Sequence, residues 1–148
     1  MNKVLIIYGT TTGNTEQMAE IIKGELKSAV KEVEVKEVTD ASVTDLTADH
    51  DIVLLGCAAY GFDSIELQDD FQEFYDEMND IQLGGKLYAV FAPGDSSYEF
   101  FCGSVDMLQD KMNQLGGKMV VDGLRIDGDP DDFEEVIANW VKSITEAL

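Results

Sequence analysis

Short apolar runs alternate with amphipathic stretches along the chain. Val4-Leu5-Ile6-Ile7-Tyr8 is continuously apolar and rich in β-branched residues, the pattern of a parallel, central strand buried on both faces. Met18, Ala19, Ile21, Ile22, Leu26 and Ala29 then recur at helical spacing. Val33, Val35 and Val38 predict a strand with one polar side, placed at an edge. Ile52-Val53-Leu54-Leu55-Gly56-Cys57 reads as another buried strand. The stretch from Ile65 to Met78 carries apolar residues at 67, 71, 74, 75 and 78 and predicts a helix with a dense acidic face. Leu87-Tyr88-Ala89-Val90-Phe91-Ala92 is the fourth strand. Val105, Leu108, Met112 and Leu115 mark a helix that stops at Gly116-Gly117, a natural C-cap. Met119-Val120-Val121 and Leu124-Arg125-Ile126 predict a fifth strand region interrupted by Asp122-Gly123. Pro130 opens the last helix, whose stripe is Phe133, Val136, Ile137, Trp140, Val141 and Ile144.

This alternation predicts an α/β three-layer sandwich, doubly wound, with helices on both faces and right-handed crossovers. No linker, repeat or low-complexity segment divides the 148 residues, so one domain is expected over 1–148. In such sheets ligands sit beyond the C-terminal ends of the strands, where strand order reverses. The loops that matter are then 9–15, 57–64, 93–102 and 122–130.

Charge narrows the partners. Ten basic against 30 acidic residues leave a net −20, the wrong sign for nucleic acid or an anionic membrane. No apolar run approaches the roughly 18 residues of a membrane span. The N-terminal run lacks the long apolar core and cleavage site of a signal peptide. Cys57 and Cys102 are the only cysteines and form no metal or disulfide pattern. A cytoplasmic location is expected. One histidine, His50, excludes a multi-histidine metal site.

The first loop, Gly9-Thr10-Thr11-Thr12-Gly13-Asn14-Thr15, follows a buried strand and opens a helix. Backbone N–H groups at a helix start bind anions, and the threonine hydroxyls add donors. Without the lysine of a nucleoside-triphosphate loop, and without GxGxxG, the loop suits a single terminal phosphate held by neutral donors. The bland alternative is an ordinary turn capped by Thr or Asn. The second loop, Cys57 to Ser64, places Tyr60 and Phe62 on either side of Gly61. These aromatics either cover a flat ligand or pack as an ordinary hydrophobic loop. The third, Pro93 to Gly103, carries Tyr98, Phe100 and Phe101. A stacking wall for an aromatic ligand is the sharp reading, and core packing of Phe100 or Phe101 the plain one.

Other chemistries fail on their residues. A low-molecular-weight phosphatase needs arginine six residues after its cysteine, where Asp63 stands. A response-regulator receiver needs aspartates where Gly9-Thr10 and Cys57-Ala58 stand. An EF-hand counted from Asp127 puts Asp132 at its glycine and Ala138 at its glutamate. The cysteines have no histidine in a ligand-edge loop to activate them and read as neutral thiols. His50 reads as a surface or capping residue, and Trp140 as core.

With these residues in view the chain resembles the flavodoxins, most closely the short-chain members of sulfate-reducing bacteria such as Desulfovibrio. The segment from Ile6 through Gly9-Thr10-Thr11-Thr12-Gly13-Asn14-Thr15 to Ile22 fits that family's phosphate-loop signature. The likeness continues through Leu54–Cys57, Asp63–Phe71, Gly94–Glu99, Phe101–Gly103 and Asp122–Pro130. It implies a five-stranded parallel sheet of order 2-1-3-4-5 and one non-covalent FMN. It further implies that Thr10, Thr11, Thr12, Asn14 and Thr15, around Gly13, hold the phosphate. Tyr98 would stack on the outer face of the isoalloxazine and Tyr60 on the inner. The backbone of Phe62, Asp95, Phe100 and Cys102 would bond the pyrimidine edge. Ala58, Ala59, Pro93, Gly94 and Phe101 complete the expected cofactor-binding set. Gly61 would turn its carbonyl toward flavin N5 in the neutral semiquinone.

The implied activity is low-potential electron transfer, mainly between semiquinone and hydroquinone, by a carrier and not an enzyme. The alternative is a small FMN-dependent quinone or nitro reductase. The expected partners are basic redox proteins (cytochromes, hydrogenase-linked carriers, reductases) that dock transiently on a monomer. Segment 61–80 holds eight acidic residues and no basic one, which fits such steering. The resemblance shows three departures at four positions: Tyr60 stands where tryptophan is frequent, Ala58 and Ala59 where close relatives carry hydroxyl residues, and Phe62 where an acid is common. The first two imply weaker FMN binding. An Ala58→Ser, Ala59→Thr variant is expected to bind FMN more tightly on isothermal titration; affinity no better than the parent's removes that inference.

Overall fold

The computed structural model describes residues 3–9, 13–60, 66–67, 69–94 and 102–148. Strand β1 (Lys3–Gly9) leads into helix α1 (Asn14–Leu26) and back to β2 (Glu32–Glu37). Two 3-10 turns precede β3 (Ile52–Cys57). The short strands β4 (Ala59–Tyr60) and β5 (Glu66–Leu67) pair antiparallel outside the main sheet. Then follow α2 (Asp69–Glu77), β6 (Leu87–Gly94), α3 (Gly103–Gln114), β7 (Lys118–Met119), β8 (Leu124–Asp127) and α4 (Glu134–Glu146).

The main sheet is parallel at every pairing and runs β2-β1-β3-β6, with β7 and β8 taking successive stretches of the far edge of β6. The expected 2-1-3-4-5 order holds, with its fifth place filled by two segments. The break has a packing cause. The Gly123 N–H donates to Gln109 Oε1 at 3.0 Å, and a Cβ on Gly123 would lie 2.2 Å from Val105 Cγ1. The backbone therefore leaves the sheet where α3 grips it.

Alternation along each strand separates two cores. Leu5 and Ile7 of β1, Val53 and Leu55 of β3, and Tyr88 and Val90 of β6 pack beneath α2 and α3, meeting Phe71, Phe74, Leu108 and Met112. Val4 and Ile6, Ile52 and Leu54, and Ala89 and Phe91 face α1 and α4, meeting Met18, Ile22, Ile137 and Trp140. The three layers follow from period-2 strands covered by period-3.6 helices. Each fully buried Ile, Leu or Val contributes roughly 1.5–3 kcal/mol of transfer free energy.

Three elements differ from the sequence reading. The helix expected over 65–78 begins at Asp69, and Leu67 is buried as a strand residue instead. A lone apolar residue four positions before the next fits either geometry. The first helix ends at Leu26, before Ala29, and Val38 is buried in a 3-10 turn after β2. His50 is half-buried at the entrance to β3: its side chain is 15% exposed, its Nε2 lies 4.0 Å from Glu34, and among the described residues its buried Nδ1 has no hydrogen-bond partner. Its carbonyl, with that of Ala48, accepts from the Lys86 ammonium, which draws the chain inward before β3. Trp140 is core, as expected, edge-on to Phe91 at 6.2 Å between ring centroids.

Gly56 is required by that ring pair. It stands beside Phe91 in the β3–β6 register, and a Cβ on it would fall 2.2 Å from the Phe91 ring. Phe91 is fully buried and has no room to swing away. Gly56→Ala is expected to destabilise the protein by about 1–3 kcal/mol through overpacking, read as a lower urea midpoint; an unchanged midpoint would show that the ring pair can move.

Candidate functional site

Because the strands are parallel, the ends of β1, β3, β6 and β8 share one edge of the sheet. Gly9 pairs with Cys57, and Gly94 with Asp127. The chain leaves β1 for α1 on one face and β3 for α2 on the other. The gap between the ends of β1 and β3 is therefore the switch point at which such sheets bind ligands.

The start of α1 closes one side of that gap. Its N-cap is Gly13, in the left-handed region at φ 95°, with no side-chain cap. The Gly13 carbonyl accepts the first helical bond from Gln17 N–H at 2.9 Å. Among the described residues nothing lies within 4 Å of where a Gly13 Cβ would be. The first-turn N–H groups of a helix have no partner within the helix itself, which suits such a start to an anion. The turn capped by Thr or Asn, weighed above as the bland alternative, is not what forms here. Asn14 is exposed and Thr15 is 1% exposed. Of the expected phosphate residues, Thr10, Thr11 and Thr12 lie outside the described residues.

The second loop begins on a short antiparallel ladder. Ala59 pairs with Leu67 and Tyr60 with Glu66, and buried Leu67 anchors the unit to the core beneath α2. Ala58 is half-buried at its root. Gly61 and Phe62 fall in 61–65, outside the described residues.

Pro93 and Gly94 are strand residues, not loop residues: they close β6 and pair with Ile126 and Asp127. The β3 ladder has already ended at Phe91, so the missing Pro93 N–H breaks no bond on that side. Asp95, Tyr98, Phe100 and Phe101 lie outside the described residues. The third loop returns at Cys102, which has φ 49°, the sole positive value among described non-glycine residues. Cys102 is buried, and its thiol donates to the Ala92 carbonyl at 3.5 Å.

Several polar contacts bind the loop roots together. The buried Ser104 hydroxyl donates to the Cys57 carbonyl at 2.7 Å and ties the end of β3 to the first turn of α3. Gly128 N–H donates to the Gly94 carbonyl at 3.1 Å. Gln17 Nε2 donates to Asp129 Oδ1 at 3.2 Å and joins α1 to the turn before α4. Arg125 donates from Nη1 to the Cys102 carbonyl at 3.0 Å, and its fork meets the Asp106 carboxylate at 2.7 and 3.3 Å. Pattern reading missed Ser104, Arg125 and Gln17. Ser104 was the most findable, since it interrupts a helical stripe with Leu108 and Met112.

Acidic residues lie at both ends of the sheet, but most of the lysines offset them at only one. Glu16, Glu37, Asp40, Asp70, Asp106, Asp127, Asp129, Asp131 and Asp132 sit at the C-terminal edge, around strand ends and helix starts. Lys3, Lys86 and Lys118 sit at strand beginnings, with Lys23, Lys27 and Lys111 at the helix ends beside them, and there they face Glu25, Glu32, Asp49, Asp51, Glu77 and Glu146. The Tyr8 phenol registers the negative edge: burial raises its pKa first, and Glu16, Glu37, Glu20 and Asp40 raise it further. Burial also pushes the Cys102 thiol up to about 11, against the opposing pull of Arg125.

This arrangement can hold a phosphate at α1 and present three tied loops to a flat ligand, in a negative field. The family model described as Flavodoxin matches residues 6–140. The flavodoxin of Maridesulfovibrio salexigens is 45% identical over 148 residues, with 100% of both chains covered. That of Nitratidesulfovibrio vulgaris is 39% identical over the same full span of both. The crystal structure of oxidised flavodoxin 1 from Bacillus cereus matches with a TM-score of 0.91 at 32% identity, covering 99% of each chain.

The raised Cys102 pKa fixes a sign. With a folded value near 11, only about one thiol in a thousand is ionised at pH 8. Alkylation of Cys102 by iodoacetamide, followed by peptide mass, is expected to be very slow in the native protein at pH 8. It should rise toward pH 11 and become rapid on unfolding. Native labelling at the rate of the unfolded chain would contradict the burial that sets this value.

Proposed function

The chain belongs to the flavodoxin family of FMN-binding electron carriers, and on that premise we propose that it is a low-potential shuttle. It exchanges electrons mainly between the one-electron and two-electron reduced levels of one non-covalent FMN. When bound, the flavin supplies the redox chemistry. The observation that carries the reading is the start of α1 at the switch point, with Gly13 at φ 95° as its N-cap. That geometry fits a phosphate monoester, and no lysine is needed to hold it.

The chain's own groups do the rest. Thr10, Thr11, Thr12, Asn14 and Thr15 would hold the phosphate with hydroxyls, side-chain amide and backbone N–H. Tyr60 and Tyr98 would flank the ring and exclude water from its faces. The backbone of Phe62, Asp95, Phe100 and Cys102 would meet the polar edge. Gly61 would offer its carbonyl to a proton held at N5, a turn that glycine makes at a cost about 1 kcal/mol below other residues. The acidic edge disfavours added negative charge on the ring and so lowers the second potential.

The same edge supports docking by basic redox proteins, such as cytochromes, hydrogenase-linked carriers or reductases, onto a monomeric, single-domain carrier. Cys57 and Cys102 are both reduced, which supports a cytoplasmic setting. Among the described residues no helix is long and apolar enough to cross a membrane.

Stepwise anaerobic reduction, followed in the visible spectrum, tests the reading. Two resolved one-electron steps with transient long-wavelength absorption are expected, and Gly61→Ala should bring the two potentials together. A single two-electron step would favour a small FMN-dependent quinone or nitro reductase. No uptake of added FMN would overturn the cofactor assignment.

A further inference from the structure

We propose that Arg125, the chain's one arginine, is a positioning residue for the flavin. It acts by locking the left-handed turn at Cys102 through which the third loop returns to α3. This inference rests on the flavin reading above.

The geometry is a three-point lock. Asp106, in the first turn of α3, takes both arms of the Arg125 guanidinium, at 2.7 Å to Nη2 and 3.3 Å to Nη1. A planar fork held at two points has a fixed orientation, so its remaining donor direction is set. That direction meets the Cys102 carbonyl at 3.0 Å. The Cys102 thiol is independently held by the Ala92 carbonyl. With the thiol and the carbonyl oxygen both held, the L configuration at Cα restricts where the Cys102 nitrogen can lie. This nitrogen carries the N–H that the flavin reading turns toward the pyrimidine edge. The lock is needed because a non-glycine residue at φ 49° relaxes elsewhere unless its surroundings hold it.

An ordinary surface ion pair does not account for this arrangement. The Arg125 side chain is 32% exposed and Asp106 58%, so the pair alone contributes little. The contact to the Cys102 carbonyl sets this arginine apart. Lysine keeps the charge but has no fork, so it cannot serve Asp106 and the carbonyl in fixed relation.

The test titrates the apoprotein with FMN and, separately, with riboflavin, following the quenching of flavin fluorescence. Arg125→Gln and Arg125→Lys are both expected to weaken binding about tenfold, the scale of one charge-assisted hydrogen bond. The loss should be alike for the two flavins, because the lock acts at the ring edge and not at the phosphate. Parent-like affinity in Arg125→Lys would show that charge suffices and overturn the lock. So would a loss confined to FMN. Parent-like affinity in Arg125→Gln would overturn any role of Arg125 while leaving the flavin reading intact. No binding of FMN by the parent would overturn both. Should the Arg125 variants fail to fold, Asp106→Ala releases the same fork from an exposed helical position and is expected to lose about threefold. Full affinity there would overturn the lock.

Discussion

A strand buried on both faces must bond its backbone to neighbours on both edges, because no water is available to replace them. β1, β3 and β6 are such strands; nearly every residue in them is buried. Their ladders run parallel, so each needs a crossover helix to bring the chain back. The return journeys put every outgoing loop at one edge and every incoming turn at the other. The site exists because of that direction. The first-turn N–H groups of α1, the β4–β5 hairpin and the start of α3 meet because three buried strands point the same way.

The loops are not left to find one another. Ser104, Gly128, Gln17 and Arg125 each join the root of one loop to the root of another. Most of these bonds end on a backbone carbonyl, so they fix the course of the main chain more than the pose of a side chain. A ligand held mainly by main-chain groups gains from this, since less ordering is needed on binding.

The strands were legible because Val4–Tyr8, Ile52–Cys57 and Leu87–Ala92 are long enough for burial to show as an unbroken apolar run. The break in the fifth strand was legible too, since Asp122-Gly123 is poor strand sequence. The β4–β5 hairpin was not: two residues on each side carry no period, and Leu67 matches a helical stripe by coincidence of spacing. The first loop announced itself through its density of hydroxyls and glycines. The bonds between loop roots stayed hidden, because Ser104 to Cys57 and Arg125 to Cys102 join residues 47 and 23 positions apart. No local pattern encodes such distances. The partial burial of His50 was hidden for a related reason, since the Lys86 ammonium that bonds its carbonyl stands 36 positions away.

The separation of charge along the sheet has a mechanical meaning. A body whose carboxylates are largely offset by ammonium groups at one end and little offset at the other carries a dipole as well as a net charge. A net charge only pulls, whereas a dipole also exerts torque. Within about a Debye length, roughly 8 Å in physiological salt, the field of a positively charged surface would rotate this molecule until its strand-end edge leads. Collisions would then begin face-on instead of at random, and that bias is built into the direction of the strands before any side chain makes contact.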